Sequence, residues 1–153
     1  ATTYLMGAEI IDCRFDGQRG LDMGSGTGVL AMLAVLRGAE QMDAVDIDDW
    51  AYRNASENIA DNGMADRIRP LLGDRSAIEG KRYDFILANI NRNVLLADMD
   101  AYAAALHSGG MLFLSGILET DVDAVTDRAQ QFGFERLRTR TRSGWAVVRF
   151  KKK

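Results

Sequence analysis

From Arg19 the chain passes through a short strand-like run, Arg19–Met23, meets glycines at alternate positions, Gly24, Gly26 and Gly28, and enters an apolar helical stretch at Val29. A strand that turns through glycines straight into a helix opens a βα unit, and βα units assemble into parallel sheets. The pattern repeats. Strand-like runs at Gln41–Ile47, Ile68–Leu72, Tyr83–Ala88 and Met111–Ser115 alternate with helical periods at Thr3–Asp12, Val29–Arg37, Asp49–Asp61, Val94–Leu106 and Asp121–Gln131. Pro70, the sole proline, falls inside the third run and removes a ladder donor, which puts that strand at a sheet edge.

Beyond Gly133 the rhythm changes: Phe134–Thr141 and Trp145–Phe150 are two strand-like runs joined by Ser143-Gly144, a hairpin signal. The expected fold class is therefore α/β, a seven-stranded, mostly parallel sheet with helices on both faces and a C-terminal antiparallel hairpin. At 153 residues, 47% of them apolar, the chain suits one domain with one real core. Its longest apolar run, Val29–Leu36, is far shorter than the roughly 20 residues that cross a bilayer. With no leader pattern either, the expectation is a cytoplasmic protein without a membrane partner. One cysteine and one histidine cannot build a disulfide framework or a structural zinc site, so no metal is expected. The start at Ala1-Thr2-Thr3 reads as a fragment of something longer.

Spacing narrows the ligand of the glycine loop. A dinucleotide fingerprint, GxGxxG, would need glycine at position 29, which is Val29; here the pattern is GxGxG with Asp22 two residues ahead. A carboxylate there repels a pyrophosphate but favours a cationic amino-acid moiety, the group that S-adenosylmethionine carries. The alternative is a tight βα turn with no ligand. Asp46, 18 residues past Gly28 at the end of the second strand, suits both ribose hydroxyls, whereas Asp48 suits a helix N-cap. Ile47 fits an adenine face or plain core packing. Asp74, after the third strand, fits an adenine amino group or an ordinary Gly-Asp turn. Asn89 ends the fourth strand with a neutral carbonyl that can orient an amine without trapping it as an ion pair, and is the candidate reaction centre. Asn93 is either part of that centre or the N-cap of the next helix, and Ser115 is a further pocket wall. Asp22, Gly24, Asp46, Asp74, Asn89 and Ser115 all fall at carboxyl ends of strands, where open α/β sheets bind ligands. His107, before the fifth strand, falls at the opposite edge, and Cys13 reads as packing.

Charge is segregated: residues 1–135 hold 11 Lys/Arg against 22 Asp/Glu, and residues 136–153 hold 8 against none. Arg136, Arg138, Arg140 and Arg142 alternate along the first hairpin strand and so are expected on one face. That face is either solvated or a surface for ribosomal RNA or an acidic protein patch.

Taken with LDMGSGTGVLA, AVDIDDWAYRNASENIADNG, YDFILANINRNVLLADM, LFLSGIL and GWAVVRFKK, these residues resemble a class I S-adenosylmethionine-dependent methyltransferase. The narrower stretches LANINRN, SGIL and GWAVV resemble the catalytic domain of the PrmA family, which methylates protein eleven of the large ribosomal subunit. The resemblance implies a Rossmann-like class I methyltransferase fold over residues 1–153, S-adenosylmethionine as cofactor and S-adenosylhomocysteine as product. By motif, Asp22, Gly24, Gly26 and Gly28 resemble the loop around the methionine moiety, Asp46 the ribose acid and Asp74 the residue near adenine. Asn89 resembles the asparagine beside the methyl group, and Thr2 and Thr3 the threonine pair that helps close the site. The family's FGTGxH stretch and amino-terminal recognition domain are absent from this chain, and Gly20 replaces a β-branched residue. The implied activity is transfer of methyl groups to lysine and amino-terminal amines of the ribosomal protein, free or ribosome-bound. Two alternatives stand beside it: a methyltransferase acting on RNA or DNA, and a fragment that binds S-adenosylmethionine without catalysis.

Overall fold

The computed structural model describes residues 2–153, the side chain of Thr2 excepted. Seven strands, β1 (Arg19–Met23), β2 (Gln41–Asp46), β3 (Ile68–Leu72), β4 (Tyr83–Asn89), β5 (Leu106–Leu118), β6 (Phe134–Arg142) and β7 (Trp145–Lys152), form one sheet in the order β3-β2-β1-β4-β5-β7-β6. The first five are parallel, and β7 runs antiparallel to both of its neighbours. The Pro70 strand, β3, is indeed an edge. Central strands are apolar almost without alternation because both of their faces are covered.

Five helices supply the cover: α1 (Thr2–Ile11), α2 (Val29–Leu36), α3 (Asp49–Asp61), α4 (Arg92–Ala105) and α5 (Val122–Gln131). Leu5, Met6 and Ile10 of α1 join Leu30 and Ala34 of α2 and Ile59 of α3 over Phe85, Leu87 and Phe113 on one face. Leu95, Met99 and Tyr102 of α4 join Val122, Val125 and Ala129 of α5 over Ile86, Ala88 and Leu114 on the other. At Gly20, Phe85, stacked on Phe15 with ring centroids 4.1 Å apart, and Met42 occupy the space that a branched side chain would need.

Three local expectations are corrected. α4 begins at Arg92 because Asn91, not Asn93, is its N-cap, accepting from the Val94 N–H at 3.1 Å. β5 begins at Leu106, so His107 lies within the strand, where the register shifts between the Tyr83 and Phe85 pairings. The four arginines of β6 do not share a face. Leu137 is an extra residue in the ladder, so that Arg136 pairs with Phe150 while Arg138 pairs with Arg149, its neighbour on the opposite face.

Arg138, Arg140 and Arg142 therefore face α1 and are engaged there. Glu9, 1% exposed, lies 3.1 Å from Arg140 Nε, 3.7 Å from Arg138 Nε and 3.3 Å from Arg149 Nε. Asp12 takes the other end of the Arg138 and Arg140 guanidinium groups, and Arg142 lies over the Tyr4 ring, 3.9 Å from its centroid. The arginine strand is a clamp on α1. The hairpin turn holds Ser143 at φ 52° and Gly144 at φ 83°, the paired left-handed conformations that match strand twist.

Candidate functional site

The sheet order reverses between β1 and β4, and a cavity of about 350 Å³ opens there at the carboxyl edge. Gly24, Asp46, Ile47, Asp74 and Asn89, nominated from four strand ends, all line it.

The glycine loop is fixed from both sides. Gly24 and Ser25 donate to the Val45 carbonyl at 2.8 and 3.0 Å, and the Gly26 N–H donates to Asp46 Oδ2 at 2.9 Å. Asn58 of α3 holds the loop at the Thr27 carbonyl. Gly24 needs to be glycine twice over: its φ is 78°, and a Cβ would stand 2.8 Å from Ile90 Cγ1. Gly28, at φ 83°, stands at the N-cap of α2, whose first amides have no intrahelical acceptor.

Asp46 also accepts from the Asp48 N–H through Oδ1 at 3.0 Å, so backbone donors fix the carboxylate in place at the rim while further lone pairs remain. Asp48 itself caps α3 through the Trp50 N–H. Ile47 is 74% exposed, which rules out core packing and leaves an apolar face open beside the cavity. Asp74 caps the short 3₁₀ turn Arg75–Ile78, taking both the Ser76 N–H and the Ser76 hydroxyl on Oδ1; these bonds hold its carboxyl below the usual range. Its Oδ2 is not engaged by them.

Asn89 Oδ1 accepts from the hydroxyl of Ser115, a fully buried residue, at 3.0 Å. That bond fixes the amide plane at the cavity wall and leaves one carbonyl lone pair. Asp22 points to the other side of β1, beneath the start of α2, and is fully buried with no hydrogen-bond partner on either carboxylate oxygen. Burial pushes its pKa up to about 7; the Ala31 amide lowers it without completing a hydrogen bond, and the Asp46 charge raises it further. A buried carboxyl with no partner under a glycine loop suits a cationic group in that loop, whose charge favours the ionised form.

Thr3 is exposed at the start of α1 and does not line the cavity; the Thr2 side chain lies outside the described residues. Val94 and Asp98, one turn apart on α4, and Arg75 also line it and escaped the sequence reading, although their i, i+4 spacing after the Asn91 cap was a usable signal. Asp98 is raised by burial, with Arg75, 3.5 Å away, partly offsetting that. Burial likewise raises the Cys13 thiol, whose sulfur accepts from Arg149, so it is not a ready thiolate. Among the described residues there is no group of metal-ligating side chains, and no helix is long and apolar enough to cross a membrane.

A family model described as "Ribosomal protein L11 methyltransferase (PrmA)" matches residues 2–153. Proteins named ribosomal protein L11 methyltransferase from Bacteroides fragilis and Porphyromonas gingivalis are 44% and 46% identical over 97% of the chain. The chain spans about half the length of these curated relatives, 53% and 51%. A crystal structure of a ribosomal protein L11 methylase from Lactobacillus delbrueckii subsp. bulgaricus superposes with a TM-score of 0.88 at 26% identity, over 99% of this chain and 78% of that one.

Proposed function

Because this chain belongs to the ribosomal protein L11 methyltransferase family, we propose that it is the S-adenosylmethionine-binding catalytic domain of a protein N-methyltransferase. Its acceptors are lysine and amino-terminal amines of protein eleven of the large ribosomal subunit. The observation that carries this reading is the buried, partnerless Asp22 carboxylate beneath a loop whose outer rim is set by Asp46 and Asn89.

When bound, S-adenosylmethionine supplies a methyl group already activated on a sulfonium. The chain's own residues then have three tasks. Gly24, Gly26 and Gly28 let the backbone approach the methionine moiety, and Asp22 complements its positive charge from below. Asp46 accepts from the ribose hydroxyls, Ile47 covers one adenine face, and Asp74 Oδ2 accepts from the exocyclic amine. Asn89, held by Ser115, turns its free lone pair to the incoming amine. A lysine amine, with an ordinary pKa near 10.4, must arrive neutral, and desolvation at the cavity favours that form. Alignment then does most of the work, and no general base is needed if water has already taken the proton.

The nucleic-acid reading keeps Asn89 but loses the shared arginine face as a motive, since Arg138, Arg140 and Arg142 are spent on α1. Calorimetric titration with S-adenosylmethionine and S-adenosylhomocysteine, with NAD as control, tests the cofactor. We expect both sulfur ligands to bind, NAD not to, and Asp46→Ala to weaken binding on the order of tenfold, one charged hydrogen bond's worth. Asn89→Ala should lower methyl transfer to the ribosomal protein far more than cofactor affinity. Binding of NAD at equal strength would overturn the reading, and binding of S-adenosylmethionine with no transfer would leave a silent binding fragment.

A further inference from the structure

A second concave site lies at the opposite edge of the sheet, where the parallel strands begin. It has a volume of about 330 Å³ and lies around Asp43 of β2, which is 8% exposed. Asp43 Oδ2 accepts from the Tyr83 hydroxyl at 2.6 Å, and Arg69 Nε donates to Oδ1 at 3.3 Å. Lys81 Nζ stands 3.8 Å from Oδ2. Tyr83 is itself 2% exposed, so this one carboxylate is a buried anchor that holds two cations at the rim. Arg19 at the start of β1 and Arg82 ahead of β4 line the same cavity, and among the described residues neither guanidinium has a carboxylate or hydrogen-bond partner. His107 completes the wall.

Four permanent cations thus surround the engaged Asp43 carboxylate, and the neighbouring acid, Asp84, accepts from the Arg19 backbone N–H at 2.9 Å, in a part of the chain where acids outnumber bases two to one. The arrangement is the reverse of the other edge, where Asp46, Asp74 and Asp98 line the cofactor cavity. Guanidinium groups gathered around a concavity match phosphate oxygens in both charge and fork geometry. We propose that this amino-edge cleft docks the phosphodiester backbone of RNA, with Arg19 and Arg82 as the free phosphate ligands and Arg69 and Lys81 as the supporting pair. The choice of RNA over an acidic polypeptide rests on the proposed function, because RNA surrounds a ribosomal protein on the ribosome. Such docking leaves the carboxyl edge open, so both sites can be filled together. It also moves the electrostatic contact away from the arginine strand, where it was first expected.

The test is fluorescence anisotropy of a labelled single-stranded RNA of about a dozen nucleotides across 50–200 mM salt, with four phosphates contacted giving a log–log slope near −3. Arg19→Gln combined with Arg82→Gln should flatten that slope by about 1.4 and weaken binding about tenfold at low salt. Arg136→Gln, which changes an exposed cation on β6, should leave binding as it was. Thermal melting and S-adenosylmethionine titration of the double variant show that it is folded. No RNA binding, an unchanged slope in the double variant, loss on Arg136→Gln, or equal displacement by polyglutamate would each overturn the proposal. RNA binding without S-adenosylmethionine binding would sink the cofactor reading and leave the cleft standing.

Discussion

Asp22 makes the folded state sensitive to pH in an unusual direction. Its carboxyl titrates at about 7 when folded and near 3.8 in its unperturbed state, so between those values the folded chain holds a proton that the unfolded chain has lost. Stability from this group is therefore full at low pH, falls as pH rises through that window and is gone above 7, a loss of at most about 4 kcal/mol. Urea unfolding at pH 5 and pH 7.5 should show this drop in the wild type and a much smaller one in Asp22→Asn. Equal drops in both would mean that another group titrates. A cation bound above Asp22 favours its charged form, so cofactor binding between pH 5 and pH 7 should release a proton. Gly20 offers a second test. Alanine normally improves a strand glycine, but here a Cβ would stand 2.6 Å from Met42 Sδ and run into the Phe85 ring. Gly20→Ala is expected to cost about 1–3 kcal/mol, seen as a melting point lower by roughly 3–10 °C, and an unchanged melting point would mean the core repacks freely.

Among the elements, α1 depends most on distant residues. Glu9 meets three guanidinium groups from β6 and β7, and removing one partner of a buried ion pair leaves uncompensated charge. Glu9→Ala should cost about 3 kcal/mol and speed hydrogen exchange through α1, with exchange in β1 and β4 much less affected. Uniform acceleration would mean that the clamp is not local. Most of these elements were legible, because apolar runs bounded by Gly, Asn and Pro mark strands buried on both faces. The bulge at Leu137 was not legible: it depends on how β6 twists against β7, and a strand read alone shows only perfect alternation. The α4 start was placed two residues late for a different reason: Asn93 has the residue type of a cap as much as Asn91 does, and only the Val94 contact identifies Asn91.

For the molecule as a whole, the parallel strands β1 to β5 put their ends on one edge and their beginnings on the other, and the sequence sorts its unspent charge accordingly. Sequence motifs found the acidic edge because each acid ends an apolar run. The basic edge was hidden because Arg19, Arg69, Lys81 and Arg82 are scattered over more than 60 residues and meet only when the sheet forms. Sheet order has one more consequence. β7 lies between β5 and β6, so β6 is synthesised before the strand it pairs with. While the chain is still leaving the ribosome, β6 has no ladder, Glu9 has at most two of its three arginines, and α1 has no finished surface to dock on. Assembly of this half of the molecule must therefore wait for β7 to emerge.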